Sequence, residues 1–367
     1  MDFAAAGLLD GLDGDERDAR LKLLQLLERD GASLPELEEA VREDRLPLLV
    51  LERRLGGRHT ALEVERETGV PAELMLRLRR LLGLPEANPH DRVFSDEDIQ
   101  QARATRLFLD AGLTVEGLAE ITRVLGESMA RLAASISALF IDTFLQAGDN
   151  ELEVAERFAA LAEQLTPQIA PVLIGSFNAH LRETIHRGRL LATERATGQR
   201  AEEVTITVCF ADLVGFTRLG GELEVHELGT VAGRLAQIAT ELTNPPVRLI
   251  KTIGDAVMLV STEPAPLVAT ALALVAAADA AELPSLRAGI AFGPAVQRSG
   301  DLYGHTINLA SRVTGAARPG SVLCTEDVRD LTADAFEWSY AGRFRLKGIS
   351  DAVPLHRARE ARDAAQG

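Results

Sequence analysis

Val204-Thr-Ile-Thr-Val-Cys-Phe-Ala-Asp-Leu-Val-Gly-Phe-Thr217 decides how the second half of this 367-residue chain folds. Val204, Ile206, Val208 and Phe210 alternate with Thr205, Thr207 and Cys209, a period of two that predicts a strand ended by Asp212. Leu228, Val231, Leu235, Ile238 and Leu242 then recur at three- and four-residue intervals, the stripe of an amphipathic helix that Pro245 and Pro246 stop. Two β-rich runs, 248–253 and 256–260, flank Gly254-Asp255, a two-residue hairpin signal that puts Asp255 at the tip. An alanine-rich helix at 267–281, a strand at 286–292, a helix opening near Gly304 and strands near 321–325 and 338–347 follow. The order β-α-β-β-α-β with additions predicts a ferredoxin-like domain, an antiparallel sheet with its helices on one side.

Upstream the apolar spacing is helical from residue 16 to about 195, and no strand is predicted there. Helices are expected at 17–29, 34–43, 61–67, 72–82, 96–109, 115–125, 129–145, 152–165 and 171–196, with Ser95 and Asp98 forming a capping box at one start. The aperiodic, polar segment 198–203 is the expected linker. The fold class is therefore α+β: a helical domain at 1–197 with a long linking helix at about 171–196, a mixed domain at 204–360 and a tail at 361–367.

Composition narrows the class. A chain with 46% hydrophobic residues has ample material for two cores. Its formal net charge of −16 disfavours nucleic acid or an anionic lipid surface as the main partner. Cys209 and Cys324, the only cysteines, lie in predicted strands, so they read as reduced core thiols. The first twenty residues are acidic and lack a secretory signal, which points to the cytoplasm. The apolar stretches 136–145 and 169–177 are broken by Asp142 and Pro171 and fall short of the about 20 residues a bilayer span needs. They are expected to be buried helices, with no membrane span.

The chemistry-bearing residues cluster in four separated segments. Asp212 and Asp255 each stand where a strand runs into a turn, and two carboxylates so placed can clamp metal ions. Gly215 and the backbone around it enter a helix N-terminus, whose free amides suit phosphate. Asp301-Leu-Tyr-Gly-His-Thr-Ile-Asn-Leu-Ala-Ser-Arg312 adds an acid, and sets Asn308 and Arg312 four apart on one helix face. Leu346-Lys-Gly348 supplies a late cation. These are the parts needed to handle a nucleoside triphosphate.

In these motifs and their order, residues 204–359 resemble the class III nucleotidyl cyclases. The resemblance implies conversion of ATP to cyclic AMP and pyrophosphate, with two Mg2+ or Mn2+ ions on Asp212, Asp255 and the backbone carbonyl of Leu213. It implies that Gly215, Phe216 and Thr217 border the triphosphate, with Phe216 packing rather than reacting. It further implies that Asn308 orients the ribose, that Arg312 meets charge developing on phosphate and that Lys347 is a point charge on the triphosphate. Lys251 and Asp301 match the family's adenine-selecting pair, lysine donating to N1 and aspartate accepting from the exocyclic amine. Guanylate cyclase activity is the alternative. Family sites form between two catalytic domains, so a single such domain per chain implies a head-to-tail homodimer.

The helical half resembles the region preceding this domain in actinobacterial, pH-responsive adenylyl cyclases, through its position, helical content, Gly69-Val-Pro and Ala111-Gly-Leu-Thr114. That resemblance implies inhibition at neutral or alkaline pH and release in acid. His180 and His186, on the last helix before the linker, are the candidate proton sensors. A lipid held near 136–145 is a second possible effector. Residues 61–82, with Gly69 at a turn and Arg77, Arg79 and Arg80 beyond it, also resemble the helix-turn-helix of MerR-type DNA-binding regulators. Glu63, Glu65, Glu67 and Glu73 would meet phosphates there, which makes nucleic acid an unfavoured partner.

Overall fold

In the computed structural model, which describes residues 1–187, 203–216, 225–298 and 301–361, the chain divides into two units, Met1–Arg189 and Leu190–Gly367. The expected linker lies outside the described residues except for Glu203.

The second unit is built on β1 (Glu203–Leu213), whose alternation holds as read from the sequence. After it come α9 (Val225–Leu242), β2 (Arg248–Ile253), β3 (Ala256–Ser261), α10 (Pro264–Ala280), β4 (Leu286–Arg298) and β5 (Asp301–Tyr303). The unit continues with α11 (His305–Ala316), β6 (Val322–Thr325), α12 (Glu326–Leu331), β7 (Phe336–Phe344) and β8 (Val353–Glu360). Strands β2, β3, β1 and β4 lie side by side in that order, each pair antiparallel, which is the ferredoxin-like plan. β6 joins β4 in parallel and carries β8 and β7 outward, and β5 folds back on β4.

The expectation of helices on one side is corrected. Cys209, Ala211 and Leu213 of β1 face α9 and α10, where Leu235, Ile238, Leu267, Ala271 and Leu274 complete one core. Ile206 and Val208, of the opposite parity, pack with Met258, Val260 and Ala291 against Ala310 of α11. α11 therefore covers the other face. It can do so because β4 has Gly289 beneath it: a Cβ there would lie 2.1 Å from the Thr314 nitrogen. The Thr314 hydroxyl donates to the Phe210 carbonyl at 3.1 Å and ties α11 to β1. Both cysteines are free and buried, and burial pushes the Cys209 thiol up to about 12.

The first unit is helical: α1 (Gly14–Arg29), α2 (Leu34–Arg42), α3 (Leu46–Leu55), α4 (Ala61–Thr68), α5 (Ala72–Leu81), α6 (Asp96–Asp110), α7 (Val115–Phe144) and α8 (Glu151–Arg187). Among its described residues the only strand-like pairing is one bridge, His59 with Phe94. One core joins α1, α2 and α3 to Ala155 and Ala159 of α8, and a second joins α4, α5 and α6. The Ser95–Asp98 capping box forms as expected, and Thr60 with Glu63 makes another.

Four expectations need correction. α3 was not foreseen; the turn that admits it puts Asp44 at φ 53 and Pro47 in the first turn, which the spacing of apolar residues does not show. The break expected between 115–125 and 129–145 is absent, because Gly126 does not end the helix. A Cβ there would lie 2.6 Å from the Leu82 Cα, so the glycine admits a neighbouring turn. The break before 171 is also absent: α8 runs through Pro167 and Pro171 along a largely exposed stretch, where water can take the carbonyls left without donors. Nor are 136–145 and 169–177 buried. Leu139 is 64% and Phe177 64% exposed, because the two cores take up Ala155 and Ala159 of α8 and no residue of α7, whose buried apolar residues are Leu118 and Ala119. At 30 residues α7 is long and apolar enough to cross a bilayer by length and composition, a weak test that core helices of soluble proteins also pass.

Candidate active site

The end of β1 sets Asp212 beside the β2–β3 hairpin. Asp212 pairs in register with Ala256, and the Leu213 N–H donates to the Asp255 carbonyl at 3.2 Å. Gly254, at φ 59, makes the tip that holds Asp255 there. Burial, and to a smaller extent the neighbouring Asp212 carboxylate, raise the Asp255 carboxyl above the ordinary aspartate range, against opposing pulls from a backbone hydrogen bond and Arg287. Two carboxylates and the Leu213 carbonyl are hard oxygen donors, fitting for Mg2+ or Mn2+ with substrate oxygens and water completing the shell. A cation placed between them would relieve the repulsion that helps to raise Asp255.

A residue missed in the sequence supplies that charge in the chain alone. Arg287, at the start of β4, donates from Nη2 and Nε to Asp212 Oδ2 at 2.7 and 3.2 Å and from Nη1 to the Gly315 carbonyl at 3.4 Å. The signal was visible only in part: Arg287 is the one charge in the predicted strand 286–292, but only the antiparallel register sets it opposite Asp212.

Lys251 on β2 and Asp301 at the start of β5 are brought together across 50 positions, Lys251 Nζ donating to Asp301 Oδ2. Burial works against the Asp301 carboxylate, yet the Lys251 ammonium and the Leu302 N–H, at 2.8 Å, hold it below the usual range. Asn308 and Arg312 lie on the exposed face of α11, whose other face buries Thr306, Ala310 and Val313. Neither side chain has a hydrogen bond or ion pair among the described residues, and none joins them to Asp212 or Asp255. Lys347 is exposed after β7, held near α11 because its neighbour Leu346 packs with Val313 and Ala317. Gly215, at φ 80, turns the chain after β1, and Phe216 packs against the core as expected. Thr217 lies outside the described residues. His180 and His186 are exposed on α8.

Residues 1–185 match the adenylate cyclase regulatory domain, and residues 198–357 match the adenylate and guanylate cyclase catalytic domain. The chain belongs to the class III adenylate cyclases. It is similar to the pH-sensitive adenylate cyclase MT1302 of Mycobacterium tuberculosis, 40% identical over 364 residues that cover 96% of this chain and 91% of that protein. It is also similar to an adenylate cyclase of Glutamicibacter nicotianae, 30% identical over 84% of this chain and 80% of that protein. An adenylate cyclase of Streptomyces griseus is 31% identical over 72% of this chain and 66% of that protein.

Proposed function

We infer that this cyclase converts ATP to 3′,5′-cyclic AMP and pyrophosphate at sites shared between two copies, under control of its regulatory region. The observation that carries the reading is the placement of Asp255 next to the end of β1, where Asp212 pairs with Ala256 and the Leu213 N–H donates to the Asp255 carbonyl. When bound, two Mg2+ or Mn2+ ions would acidify the ribose 3′-hydroxyl and offset charge on the triphosphate. Asp212, Asp255 and the Leu213 carbonyl hold them, which leaves Arg287 free to pair with a phosphate oxygen. The Gly215 turn presents backbone amides to the triphosphate, and Lys347 adds a cation. Lys251 donates to adenine N1 and Asp301 accepts from its exocyclic amine. Guanine presents the reverse pattern, so this donor–acceptor pair favours adenine.

Head-to-tail pairing of catalytic domains accounts for the state of Asn308 and Arg312. In one copy they stand exposed without partners among the described residues; opposite a second copy's aspartates they would orient the ribose and meet the charge that develops at the α-phosphate. Ile174, Phe177, Leu181 and Ile185, all exposed along α8 at three- and four-residue spacing, support association of copies. The regulatory region, 1–197 with the linker 198–203, inhibits the catalytic domain at 204–360 near neutral pH and releases it in acid, with His180 and His186 as proton acceptors. The helix-turn-helix-like segment serves structure: Arg79 donates to the Val93 carbonyl at 3.2 Å and lies over the Phe94 ring, and Arg80 pairs with Glu86 at 3.6 Å.

The test is cyclic AMP formation by the full chain with ATP and Mg2+ or Mn2+, across about pH 5 to 8 to bracket histidine titration. Activity that rises in acid and disappears in Asp212→Ala is expected. Formation of neither cyclic AMP nor cyclic GMP by the wild-type chain removes the reading.

A further inference from the structure

Far in sequence from the catalytic residues, the helical unit contains a polar cleft of about 600 Å3 between the end of α1, α2, α3 and the segment 56–58, with Arg92 at its rim. Its lining includes four arginines, Arg53, Arg54, Arg58 and Arg92, and three acids. In a chain of net charge −16 such a concentration of guanidinium groups needs an account.

Two of the acids are already matched. Glu36 accepts from Arg53 at 2.7 and 2.9 Å and from the Ser33 N–H at 3.3 Å, and Glu52 accepts from Arg45 at 2.7 Å. Arg53 also donates to the Asp30 carbonyl at 2.7 Å, but its Nε is buried with no partner among the described residues. Arg92 is held by the Arg58 carbonyl and by Glu63. Arg58 itself has no side-chain hydrogen bond or ion pair among the described residues, and Arg54 makes only long contacts, 3.4 Å to the Ala159 carbonyl and 3.6 Å to Glu163. Of the acids, only the Asp30 carboxylate opposes them. One wall of the cleft is fixed by its backbone: a Cβ on Gly57 would lie 2.1 Å from the Val93 carbonyl carbon, so glycine there lets the segment 56–58 pack directly on the chain at 93–94.

We propose that this cleft binds a small multivalent oxyanion, a phosphate ester or a polycarboxylate, as a ligand of the regulatory unit. Guanidinium forks match the paired oxygens of phosphate and carboxylate, and the volume lies in the range of small-molecule sites. The lining has too little apolar surface for a lipid chain. The ligand has a route to the rest of the unit, since Arg54 lies both in the cleft and against α8; an anion that recruits Arg54 competes with its contacts to Ala159 and Glu163. None of this depends on the catalytic reading.

Titration calorimetry of the full chain, without metal and at fixed ionic strength, tests the proposal with two probes, pyrophosphate and citrate. Saturable binding of at least one is expected, and which one binds separates the phosphate source from the carboxylate source. The double substitution Arg54→Gln and Arg58→Gln is expected to weaken it by about tenfold, the worth of one or two partly exposed charge-assisted bonds. Arg77→Gln, an exposed arginine of α5 outside the cleft, is expected to leave it unchanged. If the double variant unfolds, Arg58→Gln alone breaks no side-chain contact among the described residues and carries the test. The proposal is overturned if neither probe binds, if Arg77→Gln weakens binding as much as the cleft variants, or if binding survives in the cleft variants and is lost in Lys347→Ala.

Discussion

The two units handle their apolar residues differently. In the catalytic unit both faces of the sheet are covered, and β3, β6 and the middle of β1 and β4 carry side chains that are almost wholly out of water. In the helical unit the two cores draw on the N-terminal segment, α1–α6 and the first turns of α8, while Ile174, Phe177 and Ile185 stand 60%, 64% and 67% exposed. A sheet covered on both sides is a finished structure. A long helix with a bare apolar stripe is half of one, and the difference makes the helical unit the place to look for assembly, with the chemistry kept in the sheet unit.

The largest expected effect breaks the chemistry and spares the fold. Asp212→Ala or Asp255→Ala should lower turnover by at least about 10^3-fold, the scale for loss of a charge-stabilising element of the transition state. Asp255 carries a further signature. Its carboxyl is raised in the folded chain, so its contribution to stability is fully present below the unfolded-state pKa and is lost as pH rises through the folded one. Asp255→Asn should therefore be inactive yet no less stable than wild type at neutral pH without metal, with the two melting curves converging in acid. Unfolding of Asp255→Asn at neutral pH would show that the carboxylate supports the fold instead.

Next in size is the assembly. Ile174→Glu with Phe177→Glu removes two anchors that would each contribute about 1.5–3 kcal/mol if buried against a second copy. Sedimentation should show a shift toward monomer, and activity per chain should fall steeply on dilution while the helices persist by circular dichroism. Activity that is independent of chain concentration in both proteins would separate the α8 stripe from dimerisation.

Base choice comes third. Lys251→Glu should cost about 10^2-fold in kcat/KM for ATP, as expected where a hydrogen-bonding site is left mismatched, and narrow the preference over GTP. An unchanged ATP to GTP ratio would mean that the Lys251–Asp301 ion pair only braces β2 against β5.

Much of this comparison was legible in the residues. Asp212 and Asp255 could be read because strand alternation and a Gly-Asp hairpin both end on them, and Ser95 with Asp98 because a cap is local chemistry. Arg287 was not read, since its meaning lies in register: a charge at the start of β4 faces Asp212 only because the strand runs antiparallel to β1. The face taken by α11 was hidden for the same reason. Its own stripe fits either side of a sheet, and the choice rests on the missing side chain of Gly289 against Thr314. β8 escaped notice because Val353-Pro-Leu-His-Arg-Ala-Arg-Glu360 has proline and charges where a strand pattern wants alternation. The exposure of α7 and α8 could not be read at all, because apolar periodicity tells which face seeks cover but not whether this chain supplies it.

The smallest expected effect separates the two units as seats of a pH response. His180 and His186 are exposed on α8, whereas His356 of β8 is 8% exposed, with Nε2 unpartnered among the described residues, 3.9 Å from Glu326 and its ring 5.4 Å from that of Tyr340. Burial and then Arg329 hold His356 below the usual histidine range, against weaker pulls from Glu326 and Asp330. The unfolded chain therefore takes up this proton at a pH where the folded chain does not, so His356 costs stability as pH falls through the ordinary histidine range. Trp338, the single tryptophan, lies on β7 next to β8 and reports unfolding of the catalytic unit within the full chain. Its fluorescence should give a melting temperature that drops in acid, and less so in His356→Gln. If activity still rises in acid in that variant while its melting curve has lost part of the pH dependence, the response belongs to the helical unit. If His356→Gln flattens the activity profile as well, the proton is sensed inside the catalytic sheet, and the exposed histidines of α8 are bystanders.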